Sequence, residues 1–209
     1  MIGRSFTAVL VAAFSTIALA GPTGLSNIPT ADILRHREML LAYGSSGTER
    51  HIDKSVGHYI GLQLGLFDRL EFGLDNDFLG SSVTNAKLLL WESPDEGRSA
   101  LSIGIRNWAT DNTAEYYIVG RYDMPGHRLH LGAMRTDRWL IIAGVDFPVN
   151  DQWSASLDFT SGPSSSTWLG LDYAIPSISG LNITFMAGVP AVKSEGLQWA
   201  IQASYGLRF

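Results

Sequence analysis

Cysteine is absent. That excludes a disulfide-stapled scaffold and any thiolate metal site. Charge is scarce: Asp, Glu, Lys and Arg make up 17% of the chain, against the usual ~25%. The net charge of −5 leaves no basic footprint, so a nucleic-acid partner is not expected. Long apolar runs are missing too. After the first residues, no stretch reaches the ~18 consecutive apolar residues that a spanning helix needs. Trp139 to Val145 is the most apolar segment, and Asp146 ends it. A helical membrane protein is therefore excluded. A closed β-barrel is the only other architecture that pairs every backbone amide inside lipid.

What is present instead is alternation. In the last stretch, Trp199, Ile201, Ala203, Tyr205, Leu207 and Phe209 fall on one side of a strand. Ala200, Gln202, Ser204, Gly206 and Arg208 fall on the other. Successive strand side chains point to opposite faces, so this stretch has one apolar face and one polar or small face. Its length suits a tilted bilayer crossing, which takes about 9–11 residues. The same period recurs from Glu38 onward. Gly57 to Phe67 sets His58, Ile60, Leu62, Leu64 and Leu66 against Tyr59, Gly61, Gln63 and Gly65. Further strands are expected at Leu70 to Asp75, Asn85 to Trp91, Ser99 to Trp108, Tyr116 to Tyr122 and Arg128 to Met134. Trp139 to Phe147, Trp153 to Thr160, Thr167 to Ile175 and Leu181 to Val189 complete the set. The count is about twelve, each with the weak alternating signature of a membrane barrel strand.

Three features separate this pattern from a soluble sandwich. The polar face is Gly, Ser, Thr, Gln and Asn with isolated charges, and small side chains suit the inside of a barrel. The apolar face continues from strand to strand. Aromatics collect at strand ends, among them Phe67, Trp139, Phe147, Trp153 and Trp199, as interfacial girdles require. Trp91, Trp108 and Trp168 have inward parity and are expected at the rims, facing the lumen. The links alternate. Short turns rich in Pro, Gly, Asn and Asp (Phe67 to Arg69, Ser93 to Arg98, Pro125 to His127, Pro148 to Gln152, Pro176 to Gly180) lie at one end. The links Ser45 to Ser55, Gly80 to Thr84, Thr110 to Thr113, Ser161 to Ser166 and Ala191 to Gly196 lie at the other.

The start of the chain reads as a secretory signal. Arg4 is a positive n-region, Phe6 to Ile17 an apolar h-region, and Ala18-Leu19-Ala20 a small-residue cleavage pattern. Cleavage is expected after Ala20. The expected organisation is a signal peptide over 1–20, an irregular lead-in over 21–35 and a barrel over 36–209. The lead-in Gly21 to Leu34 holds Pro22 and Pro29, Gly21 and Gly24, and neither helical nor strand period. It either folds into the lumen as a plug or acts as a tether for the first strand.

Inward parity gives the candidate site residues. Glu71, Asp75, Asp77, Asp146, Asp158 and Asp172 are acidic, and Lys87, Arg106, Arg121, Arg128 and Arg208 are basic. They either pair across the lumen and close it, or line a wet channel. Burying unpaired charge costs several kcal/mol, which favours pairing in a narrow interior. No metal-ligand spacing appears and no cofactor is expected. Acyl transfer needs a serine beside a histidine. His58 has lipid-face parity and His130 lumen parity, and neither has a serine at i+2, so no enzyme is expected.

Two resemblances follow from these residues. A strand ending on an aromatic, here Phe209, resembles the assembly signal of bacterial outer-membrane barrel proteins. That implies partnership with the barrel-assembly machinery and with outer-membrane lipid. The segment Gly24-Leu25, Pro29-Thr30-Ala31 resembles the opening motif of YjbH-type outer-membrane proteins. That resemblance implies a non-enzymatic barrel linked to exopolysaccharide production, with polysaccharide-export components as partners. The alternative is a narrow diffusion channel for small solutes.

Overall fold

The computed structural model describes residues 23–48, 57–78, 82–94, 99–108, 113–163, 165–192 and 196–209. The segment expected as a signal peptide lies outside the described residues, as do Gly21, Pro22 and parts of six links, at 49–56, 79–81, 95–98, 109–112, 164 and 193–195.

Twelve strands follow one another: β1 Glu38–Thr48, β2 Gly57–Leu66, β3 Leu70–Asn76, β4 Ser82–Glu92, β5 Ser99–Trp108 and β6 Glu115–Met124. Then come β7 His127–Arg135, β8 Trp139–Pro148, β9 Trp153–Thr160, β10 Ser166–Ala174, β11 Leu181–Pro190 and β12 Gln198–Arg208. Each pairs antiparallel with its sequence neighbours, and β1 pairs β12 from Glu38↔Arg208 to Thr48↔Gln198, closing a barrel. Closure leaves no edge strand. β1 starts and β12 finishes at one end, the end of the short turns. β1 runs on into the link expected from Ser45, because Ser46 and Thr48 each find a rung on β12, at Ala200 and Gln198.

The side chains are distributed inside out. Leu131, at the middle of β7, is 66% exposed, while Gln202 in β12 is 0% exposed. Ile141, Leu169, Phe185 and Val189 are exposed on the outside, and Glu71, Lys87, Ser102, His130, Asp158 and Thr184 are buried inside. An apolar band running round the whole barrel far exceeds the few hundred Å² a soluble surface tolerates. Strands of about ten residues rise ~25 Å at the usual tilt, the height of a lipid-facing band. Exposed aromatics rim both ends: Phe67, Trp91, Tyr122, Phe147 and Phe209 at the turn end, and Tyr43, Phe78, Trp108, Tyr116 and Trp139 at the loop end. Trp153 and Tyr173 add a tilted ring pair 4.6 Å apart at the turn end. This is a transmembrane β-barrel of twelve strands.

Two of the three tryptophans expected to face inward do not. Trp91 and Trp108 are each 51% exposed, and only Trp168 is buried inside. The cause is a pair of register shifts between β4 and β5, at Thr84/Ala86 and Leu89/Trp91. A bulge places two residues opposite one and reverses the parity beyond it. At the first shift Asn107 takes a left-handed backbone, φ 59°, which asparagine tolerates better than most residues. Beyond it Trp108 points out.

Candidate functional site

Twelve strands spaced about 4.8 Å apart and tilted about 40° enclose a backbone diameter near 24 Å. Wall side chains take up part of that width. The remainder, on the order of 10 Å, is room for two strands side by side. Residues 23–34 take that room, running inside the barrel.

They do so as a hairpin. Leu25 N–H donates to Ile28 O (2.9 Å), Thr30 N–H donates to Thr23 O (3.1 Å), and Gly24 bridges Pro29 in antiparallel fashion. Gly24 is required here, because a Cβ would strike the Ile28 carbonyl. Pro29 has no N–H with which to extend the ladder. All five motif residues, Gly24, Leu25, Pro29, Thr30 and Ala31, thus build one tight turn, and all are buried. Ser26 and Asn27 form its tip.

The hairpin has two faces. Leu25, Ile28 and Ala31 pack with Leu89, Ala100, Tyr117, Val119, Met134 and Ile142, inward residues of β4 to β8. The backbone and polar groups meet the charged wall. Near the turn end the Glu71 carboxylate accepts from Thr23 N–H and Thr23 Oγ1 (both 2.7 Å) and from Leu34 N–H (2.9 Å). One side chain of β3 therefore holds both ends of the hairpin. Lys87 Nζ lies 3.6 Å from Glu71, donates to Thr23 O at 2.7 Å, and also contacts Thr23 Oγ1. Midway, Ser102 Oγ donates to Ala31 O (2.9 Å). At the tip, Asn27 N–H donates to Asp158 Oδ2 (3.0 Å), and the Asn27 amide reaches Thr160 and Ser166 at the loop end. The hairpin spans the lumen.

A second ionic group lies towards the turn end. Asp32 pairs with Arg121 through Nη1 and lies 3.7 Å from Arg128 Nη1. Arg121 also holds Asp123 (3.0 Å) and faces Glu92 (3.8 Å). Arg128 holds Asp146 (2.6 Å), and His130 Nε2 lies 2.7 Å from the other Asp146 oxygen. Burial alone would raise the Asp32 carboxyl; the Arg128 and Arg121 guanidiniums outweigh it and hold it well below the usual carboxylate range. Arg35, where the lead-in leaves the barrel, pairs with Glu92 at 2.7 Å.

The residues named from inward parity separate by what they touch. Glu71, Lys87, Arg106, Arg121 and Asp158 touch the hairpin or its Asp32, and Arg128 and Asp146 complete the second ionic group. Asp75 and Asp172 lie on the wall away from the hairpin, accepting from Asn85 (2.5 Å) and Thr184 (2.6 Å). Asp77 stands one residue past the end of β3. Arg208 does not belong: it is exposed, because the last rung of β12 sits at the rim. Parity missed Asp32, Glu92, Glu115 and Asp123. Glu115 pairs with Arg106 beside the tip. Three of these four stand at or near strand ends, and Asp32 stands in a segment with no period. The signal for Asp32 was its isolation: it is the one charge in Gly21 to Leu34.

His58 does find a serine, across the β1–β2 rung, with Ser45 Oγ 2.8 Å from Nδ1. Tyr43 Oη sits 3.0 Å from the same nitrogen, so two hydroxyls share one base. The trio is exposed on the outer surface. No group of three or more His, Asp or Glu able to hold a metal occurs among the described residues.

The backbone is similar to solved outer-membrane channels. A KdgM porin superposes with a TM-score of 0.57 at 12% identity, covering 79% of this chain and 98% of that one. An outer-membrane channel from Pseudomonas putida F1 superposes at 0.51 with 10% identity, covering 84% and 97%. The barrel has the fold of outer-membrane channels. At these identities the likeness extends to the fold alone. No family model and no curated protein matches the sequence.

Proposed function

We propose that this chain is an outer-membrane channel for small polar solutes, with its own N-terminal hairpin occupying the lumen in the state described. The observation that carries this reading is that the wall does not fill its own lumen. Over the inward-facing Gly65, Gly144 and Gly170 the space a Cβ would need is taken by the lead-in, by Leu34 and Arg35, by Leu25 and Ile28, and by Ser26 respectively, so a separate segment supplies volume that the wall leaves open. A barrel serving only as a scaffold can be filled by its own side chains, as eight-stranded ones are. Here the filler is tied in by hydrogen bonds and ion pairs, which are reversible. Channel structures with the same fold support the reading. One of them is a KdgM porin in complex with disordered oligogalacturonate. Acidic residues are at least as many as basic ones on the wall described above, so a polyanion of that kind is not carried over.

Planar-bilayer recording tests the proposal. The chain from Gly21 onward should be silent or rarely open. A variant lacking 21–34 should give steady ohmic steps. A deletion variant that inserts, folds and stays silent would refute the channel.

The motif Gly24 to Ala31 supports a second reading, a YjbH-type component linked to exopolysaccharide. Its support is that the motif's residues build one defined structure inside the barrel. Under it, deleting the gene lowers surface polysaccharide; unchanged polysaccharide would remove it.

A further inference from the structure

Asp32 is a carboxylate bound in a two-arginine cleft. Arg121 and Arg128, on adjacent strands β6 and β7, both direct Nη1 to the same oxygen, Oδ1. The rest of each guanidinium is engaged by wall acids. Arg121 Nε lies 3.0 Å from Asp123 and Nη2 faces Glu92, and Arg128 donates from Nε and Nη2 to Asp146. Those acids belong to the barrel and stay in place if the hairpin moves. The two Nη1 groups are therefore aimed by contacts that lie on the wall and not on the hairpin. His130, oriented by Asp146, completes the surroundings. Asp32 is the ligand that this chain itself supplies.

We propose that the Arg121–Arg128 cleft is a binding site for the carboxylate of a small solute, which competes with Asp32 and so favours release of the hairpin. This rests on the channel reading for its consequence, conduction, but not for the competition itself. A carboxylate that binds only when Asp32 has left stabilises the undocked state by its affinity for that state. Charge-assisted hydrogen bonds are about twice as strong as neutral ones, so a neutral amide of the same shape should compete poorly. The cleft takes one carboxylate group. The acids around it, Glu92, Asp123 and Asp146, repel a chain of them.

The test uses the barrel from Gly21 onward and two readouts. The sequence has no cysteine. A Ser26→Cys change at the buried hairpin tip therefore gives a single thiol whose modification rate reports undocking, whether or not the barrel conducts. Sodium propionate is compared with sodium chloride at equal ionic strength, and propionamide added to chloride is the neutral control. At a propionate concentration about ten times its dissociation constant for the undocked cleft, labelling should speed by roughly tenfold, as mass action on the undocked state requires. Propionamide should do nothing. Asp32→Asn should label fast already in chloride, and Arg121→Gln should lose the propionate response. If Arg121→Gln does not fold, Arg128→Lys supplies the same test, since a lysine lacks the forked geometry. Conductance is read in parallel. Labelling that responds to propionate without conduction would overturn the channel and keep the site. Conduction with no preference for propionate over chloride in either readout would overturn the site and keep the channel. An equal response to propionate and propionamide would also overturn it.

Discussion

Replacing Glu71 by glutamine tests the clamp on the hairpin with almost no change in shape. Glu71 is 1% exposed and its partner Lys87 is 0% exposed, both as side chains. The carboxylate accepts three hydrogen bonds, from Thr23 N–H, Thr23 Oγ1 and Leu34 N–H. In glutamine one oxygen becomes an NH₂. Placed at Oε2, it faces the Leu34 N–H donor; placed at Oε1, it faces the Thr23 N–H and the Lys87 ammonium. Either orientation sets donor against donor and leaves Lys87 without its anion. A bond to a charged group is worth about 1.5–3 kcal/mol net, and breaking a buried ion pair by removing one partner costs about 3–5 kcal/mol. Part of that loss is recovered, because Lys87 keeps the Thr23 carbonyl at 2.7 Å. Docking of the hairpin should therefore weaken by about 3 kcal/mol, on the order of a hundredfold in the undocked population. The barrel should persist, since no ladder bond is touched. The measurement is thiol modification of Ser26→Cys with and without Glu71→Gln, with gel mobility before and after boiling to confirm a folded barrel. The double variant Glu71→Gln, Lys87→Met should lose less than the sum of the two single changes, as coupled sites do. Labelling unchanged in a folded Glu71→Gln barrel would refute the clamp.

Other perturbations address other links. Leu131→Arg places a charge at the middle of the outer band and should destabilise the folded barrel in lipid by about 2–4 kcal/mol, measured by denaturant unfolding in vesicles; a change within the ~0.5 kcal/mol typical of a water-facing site would exclude lipid contact there. Leu25→Ala removes a buried side chain from the hairpin's apolar face and should weaken docking by about 2–5 kcal/mol without unfolding the barrel, read again as the labelling rate of the thiol that Ser26→Cys introduces. Gly65→Ala would drive a Cβ into the Leu34 and Arg35 carbonyls where the lead-in leaves the lumen, so the melting temperature in detergent should fall by the equivalent of about 1–3 kcal/mol. The Asp32 carboxyl is lowered when docked, so its contribution is fully present above about pH 4, where the released carboxyl is ionised, and is lost as pH falls through the docked value. The difference in docking between the native residue and Asp32→Asn should accordingly be flat from about pH 5 to 8 and shrink in stronger acid; a difference that vanishes near neutral pH would contradict the assignment of Arg121 and Arg128 as its partners.

The barrel was legible because one physical constraint repeats along every strand. A side chain faces either lipid or lumen, and the alternation records the choice residue by residue. Legibility stops where that constraint is lifted. At the bulges, twist and backbone strain decide, and nothing in the alternation around Asn107 announces that Trp108 turns outward. At the rim both faces are wet, so the parity of Arg208 carries no information. Inside the lead-in there is no ladder and hence no period, although its composition constrained it in another way. A segment with apolar Leu25, Ile28, Ala31, Ile33 and Leu34 and a single charge cannot remain solvated at no cost. The wall carries the complement. Leu89, Val119, Met134 and Ile142 have lumen-side positions that water would not favour, and Arg121 and Arg128 stand beside them. Apolar residues on the inside of a barrel too wide for its own side chains to fill imply an apolar filler, and an arginine pair there implies an anion on that filler. The plug is therefore written in the wall as much as in the lead-in, and the two are read together only once strand closure fixes which positions face each other.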